Sequence, residues 1–96
     1  MRADYDSAAN AISISIRDGS SADASDEVHA RAIVALADGK PVEVQLLYPD
    51  LGIDEPLAAV AGRYDLDREA LQAAAQSALA APDRAVVVEV AARASA

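Results

Sequence analysis

Cysteine, tryptophan and phenylalanine are missing from this chain, and three tyrosines are its only aromatic residues. Without cysteine there is no disulfide, no thiolate metal site and no nucleophilic thiol. Without large aromatics the core falls to Val, Leu and Ile, because 25 of the apolar positions are Ala. A fully buried larger aliphatic is worth about 1.5–3 kcal/mol, whereas Ala adds only a methyl. Basic residues are scarce too, eight against sixteen acidic ones, for a formal charge of −8. They are scattered, as at Arg17, Arg31, Arg63, Arg68 and Arg84, and form no basic stripe. That argues against nonspecific binding to nucleic acid or to an anionic membrane, since both rely on clustered Lys and Arg. The four glycines are dispersed, so no phosphate-cradling loop is present. No apolar run approaches the ~18 residues of a membrane span. The start Met1-Arg2-Ala3-Asp4 has no charged and then apolar leader, and a cytoplasmic protein is expected.

What is present suits one small domain spanning residues 1–96, in the size range of about 100 residues where single domains are common. A thin core in so short a chain favours burial against a second copy, so a homodimer is expected. The acidity fits a basic protein partner, and it also fits simple solubility.

Ile12, Ile14 and Ile16 alternate with Ser13, Ser15 and Arg17, the period of two of a strand with one buried and one wet face. Asp18-Gly19-Ser20-Ser21-Ala22-Asp23 reads as a polar loop. A second strand is predicted from Glu27 to Ala37, with Val28, Ala32, Val34 and Leu36 inward and Ile33 on the opposite face. That exception predicts that a helix or a partner chain covers part of the outer face. Asp38-Gly39 between apolar alternations is a hairpin signal, and Val42, Val44 and Leu46 continue the inner face of a third strand. Tyr48-Pro49-Asp50-Leu51-Gly52 stops the pattern.

Two helices are predicted next. Asp54 caps the first, Pro56 sits in its first turn, and Leu57, Val60, Ala61 and Tyr64 recur at helical spacing, with Gly62 weakening the run. Asp67 caps the second, whose stripe is Leu71, Ala74, Ala75, Ala78 and Leu79. Pro82-Asp83 ends it. Val86, Val88 and Val90 read as a last strand with Val87 and Glu89 opposite, joining its own sheet or a neighbour's, and Ala92–Ala96 should fray. The fold class is therefore α+β: a three-stranded antiparallel β-meander followed by two helices and a C-terminal strand.

Few residues offer chemistry. His29 is the lone histidine, and on a strand it would share a face with Glu27, one requirement for a metal pair. Zinc catalysis usually takes three protein ligands, and no third is placed here, so an exposed edge histidine is expected. Asp4 and Asp6 flank Tyr5, and Asp65 and Asp67 flank Leu66. Paired carboxylates can divide acid and base work, but both pairs sit where elements should start, and capping explains them. Tyr5 reads as a packing residue with its hydroxyl at the rim. Ser13 and Ser15 have no histidine spaced to activate them, and no Gly-x-Ser-x-Gly elbow exists. No catalytic, cofactor-binding or metal residue is assigned, and no enzyme is expected.

The run Tyr5-Asp6, Asn10-Ala11, Ile12-x-Ile14-x-Ile16, Glu27-Val28 and Ile33 through Leu47 resembles domain-of-unknown-function family 2283, small bacterial proteins, over about residues 4–47. Asn10 stands where that family commonly has Asp, Ser13 where Tyr is frequent, and Glu43-Val44-Gln45 where Gly-Ile-Glu is usual. The resemblance implies a small sheet-based domain without an active site, and residues 48–96 become a helical extension plus terminal strand. Some members look like antitoxin-type partners of small basic toxins. The expected function is thus a non-enzymatic protein-interaction module, antitoxin-like in its most concrete form. The alternative is a DNA-binding regulator with a helix-turn-helix-like pair at residues 57–81, turning at Gly62-Arg63-Tyr64-Asp65 and offering Arg68, Gln72 and Gln76 to base edges.

Overall fold

A computed structural model describes residues 1–17, 19 and 21–88. It is α+β: six strands in one antiparallel sheet with two helices. The strands are β1 (Arg2–Asp6), β2 (Ala11–Ser15), β3 (Ala24–His29), β4 (Ala32–Ala37), β5 (Lys40–Leu47) and β6 (Ala85–Val87), and the helices are α1 (Asp54–Tyr64) and α2 (Arg68–Ala80). The spatial order is β3-β4-β5-β2-β1-β6. Val44 pairs with both Ile14 and Val34, and Ile14 also pairs with Ala3, so one row of inward side chains runs across four strands. Ile12, Ile14, Val34, Val44 and Leu46 meet Leu57, Val60, Leu71, Ala74, Ala75 and Ala78 of the helices in a single core cluster.

The predicted meander differs in three respects. Strand β2 pairs with β5 rather than with the strand that follows it in sequence. The run from Glu27 to Ala37 is two strands, because Ala30-Arg31 turns the chain back although it contains no glycine, proline or asparagine. The His29 ring serves instead, its Nδ1 accepting the Arg31 amide N–H at 3.0 Å. The third difference is β1, a strand not anticipated. Asp is depleted in strands generally, and Arg2–Asp6 places only Ala3 and Tyr5 on its inward side, yet β1 lies between β2 and β6 with Ala3 fully buried.

Other expectations hold. Asp38 (φ 53) and Gly39 (φ 75) both take positive φ, the backbone of a two-residue hairpin turn whose twist matches its strands. Asp67 caps α2, its side chain accepting from the Ala70 amide N–H at 3.2 Å. Strand β6 pairs with β1 of its own sheet, and the ladder continues as the Val88 amide donates to the Met1 carbonyl at 2.8 Å. Glu89, Val90, Ala92–Ala96 and the loop positions Asp18 and Ser20 lie outside the described residues. Asp54 is not a cap. Ile53 holds that position without a side-chain hydrogen bond, and the Asp54 carboxylate instead accepts from Gln72 Nε2 at 3.1 Å, joining the two helices.

Helix α1 runs unbroken through Gly62, and a Cβ built there meets nothing within 4 Å. Alanine at an exposed helical glycine restricts the unfolded chain without a steric penalty. Gly62→Ala is therefore expected to raise stability by about 0.5–1 kcal/mol, read as an upward shift of the urea midpoint. Among the described residues, no helix is long and apolar enough to cross a membrane.

Candidate functional site

Two polar clusters lie at the margins of the sheet. The first surrounds Tyr5, whose ring packs against the core and whose hydroxyl donates to Asn10 Oδ1 at 3.0 Å. Asn10 has φ 51, a left-handed conformation that Asn tolerates better than most residues. Its side-chain amide donates onward to Asp50 Oδ1 at 2.7 Å. Asp6 closes the β1–β2 turn, its Oδ1 accepting the Ala8 and Ala9 amides at 3.1 and 3.2 Å. Asp83 follows α2 and clasps this turn from the other side: the Ser7 amide donates to Oδ1 at 2.9 Å and the Ser7 hydroxyl to Oδ2 at 2.7 Å. Asp4, Tyr5, Asp6, Asp83, Arg84 and Ala85 line an open depression of about 450 Å³ beside it.

Chemically this cluster is a brace. The Ser7 amide, and after it the Ser7 hydroxyl, hold the Asp83 carboxyl below the usual carboxylate range, with burial opposing. Because the folded state lowers this pKa, the contribution of Asp83 to stability is present above the unfolded value and lost as pH falls through the folded one. Asp83→Asn is expected to flatten the acid limb of the stability curve below about pH 4, as measured by thermal melts across that range.

The second cluster ties edge strand β3 to α1. Asp26 Oδ2 accepts from the Tyr64 hydroxyl at 2.5 Å and from Arg63 Nε at 2.8 Å. The hydrogen bond to Asp26, then burial and the Asp26 charge, raise the Tyr64 pKa above its ordinary value, and Arg63 opposes them. At the other end of the strand, His29 Nε2 lies 3.2 Å from Glu55 Oε1. Because Nδ1 already accepts the Arg31 amide, the neutral ring carries its proton on Nε2 and donates it to Glu55.

The expected exposed edge histidine is instead partly buried, its side chain 19% exposed and turned toward Glu55, and it shares no face with Glu27. A bulge between Glu27 and His29 sets Glu27 opposite Ile33 and His29 opposite Ala32, so the two side chains occupy opposite faces. Among the described residues no group of three or more His, Asp or Glu side chains could hold a metal ion. Ser13 and Ser15 lie on the outer face, between Asp4 and Gln45 and between Arg2 and Glu43. Asp67 is the N-cap of α2, as capping predicted, whereas Asp65 ends α1 as its left-handed C-cap and starts no element. Asp4 and Asp6 lie within β1, so the expectation that both pairs mark element starts fails for them too. The supposed recognition turn is also displaced: Gly62, Arg63 and Tyr64 are helical, and the chain turns at Asp65–Asp67. Gln72 is engaged with Asp54, while Arg68 and Gln76 are exposed.

The feature the sequence reading missed is the link from β5 to α1. A 3-10 helix, Pro49–Leu51, presents Tyr48 at 54% and Leu51 at 68% exposure. The available signal was a tyrosine and a leucine inside a Pro-Asp-x-Gly turn, where small polar residues are the norm. Comparison of the chain with protein-family models, with curated proteins and with solved structures finds no match.

Proposed function

We propose that this chain is a non-enzymatic protein-interaction module that works as a homodimer and engages a basic protein partner. One observation carries the reading: α1 and α2 pack on the same face of the sheet, and no described element covers the other. That open face holds Ile33, Ala35 and Leu47 among Ser13, Ser15 and Gln45, with Arg2 in the same cross-strand row as Glu43. A two-fold contact needs one patch that complements itself, and a half-apolar surface with both charge signs meets that condition. The polar clusters support the non-enzymatic part, since their hydrogen bonds brace turns and edge strands. The residues behind the likeness to family 2283, Tyr5, Asp6 and Asn10, serve in that brace.

An antitoxin-like role is the most concrete form and suits the charge of −8. Base reading through residues 57–81 gains no support, because Gln72 is occupied and Asp65, Asp67 and Glu69 flank Arg68. Light scattering at micromolar concentration should report twice the 9.9 kDa chain mass, and Ile33→Asp should halve it without unfolding the protein. A monodisperse wild-type monomer would remove the dimer. Failure of the adjacent gene product to co-purify or to change growth on co-expression would remove the antitoxin form.

A further inference from the structure

Tyr48 and Leu51 stand bare on a turn that is far from slack. Tyr48 has φ 51 and ψ 57, a left-handed conformation that a bulky residue rarely enters. Such a residue persists only where its surroundings over-determine it, and here they do. The Tyr48 amide donates to the Asn10 carbonyl at 2.9 Å, the Leu51 amide to the Tyr48 carbonyl at 3.0 Å, and the Gly52 amide to the Pro49 carbonyl at 3.0 Å. The Asn10 side chain holds Asp50, the Arg31 guanidinium donates to the Gly52 carbonyl at 2.7 Å, and Pro49 is buried. Glycine would take this backbone without strain. The chain instead keeps a tyrosine and leaves that residue more than half exposed. Tyrosine is among the residues that carry most of the energy at protein interfaces, and a turn held rigid before contact has little freedom left to lose.

The rim of the turn selects the partner. Asp50, Asp54 and Glu55 are exposed, while Arg31 is drawn to the Gly52 carbonyl and His29 to Glu55. A second copy stacked here would bring the same carboxylates against one another. The geometry points to the Tyr48–Gly52 turn as a preformed docking knuckle for a basic amphipathic polypeptide segment, whose apolar side chains receive Tyr48 and Leu51 and whose Lys or Arg residues reach Asp50, Asp54 and Glu55. This rests on the protein-interaction reading above and names its surface, separate from the open sheet face assigned to the dimer.

The test is an amide-shift titration of the isotope-labelled full chain with a helical Leu/Lys peptide, run beside oligolysine and a Leu/Glu peptide. Shifts should centre on residues 48–53 with the Leu/Lys peptide alone, and binding should weaken as salt rises. Tyr48→Gly and Leu51→Ser should each reduce affinity by about tenfold or more, whereas Val87→Ser, at the other end of the sheet, should not. Glycine suits the left-handed backbone, so Tyr48→Gly retains the fold, and an unchanged spectrum elsewhere verifies this. No response at the turn, shifts on the open face, or an equal response to oligolysine each overturn the inference. So do concentration-dependent shifts at the turn without peptide, which would assign it to a second copy. A monomer that binds the peptide at the turn removes the dimer and leaves the knuckle standing, and a dimer whose turn ignores the peptide does the reverse.

Discussion

Leu71→Ala is expected to lower the unfolding free energy by about 2–5 kcal/mol, one of the two largest effects anticipated in this protein. Leu71 is the one large side chain on the fully buried face of α2, whose other members are Ala70, Ala74, Ala75 and Ala78. Alanines let the helix approach the sheet closely, and they have no length with which to refill the space that truncation opens. The cavity term therefore adds in full to the lost transfer energy. Domains are stable by only about 5–15 kcal/mol in total, so this single change consumes a large share. Each kcal/mol moves the melting temperature by about 4–8 °C in a domain of this size. Urea denaturation checks the point: the midpoint should fall sharply with the slope unchanged, and a loss under about 1 kcal/mol would mean that α2 is not docked through Leu71.

Asp26→Ala should remove about 1–2 kcal/mol, less than a fully buried charge-assisted hydrogen-bond pair because Arg63 is 60% exposed and Asp26 25%. Asp26 alone gathers the Tyr64 hydroxyl and Arg63, and with them edge strand β3 onto α1. A second readout separates this from simple loss of packing. The folded state raises the Tyr64 pKa chiefly through Asp26, so that part of the stability is present below the ordinary tyrosine value of about 10 and lost as pH rises through the higher folded value. In Asp26→Ala the Tyr64 titration, followed by tyrosinate absorbance, should move down, and alkaline destabilisation should become shallower. An unmoved titration would show that Asp26 does not set it.

Elements with strong local rules were legible. Ile12 and Ile14, Val42 through Leu46, the Asp38-Gly39 turn and the Asp67 cap each follow from alternation, turn chemistry or capping over a few neighbouring residues, and each is found where those rules place it. Strand β1 was illegible because its place depends on pairing with β2 and β6 on either side, while its own residues, three of them charged at exposed positions, carry no strand preference. The Ala30-Arg31 reversal was hidden for a related reason: the group that holds it is the ring of a neighbouring histidine, which no turn rule anticipates. The candidate docking turn gave only a break signal, since exposure of Tyr48 and Leu51 depends on what the rest of the chain leaves uncovered.

By itself, then, the sequence determined the α+β class, the inward face of the central strands, the cap of α2 and the absence of thiol chemistry, because these depend on composition or on contacts within a few residues. Only the tertiary structure decided the order β3-β4-β5-β2-β1-β6, the separation of Glu27 from His29 by a bulge, the packing of both helices on one face and the left-handed turn at Tyr48. These depend on which distant segments compete for the same hydrogen bonds and the same buried surface, and that competition is resolved only when the whole chain is packed.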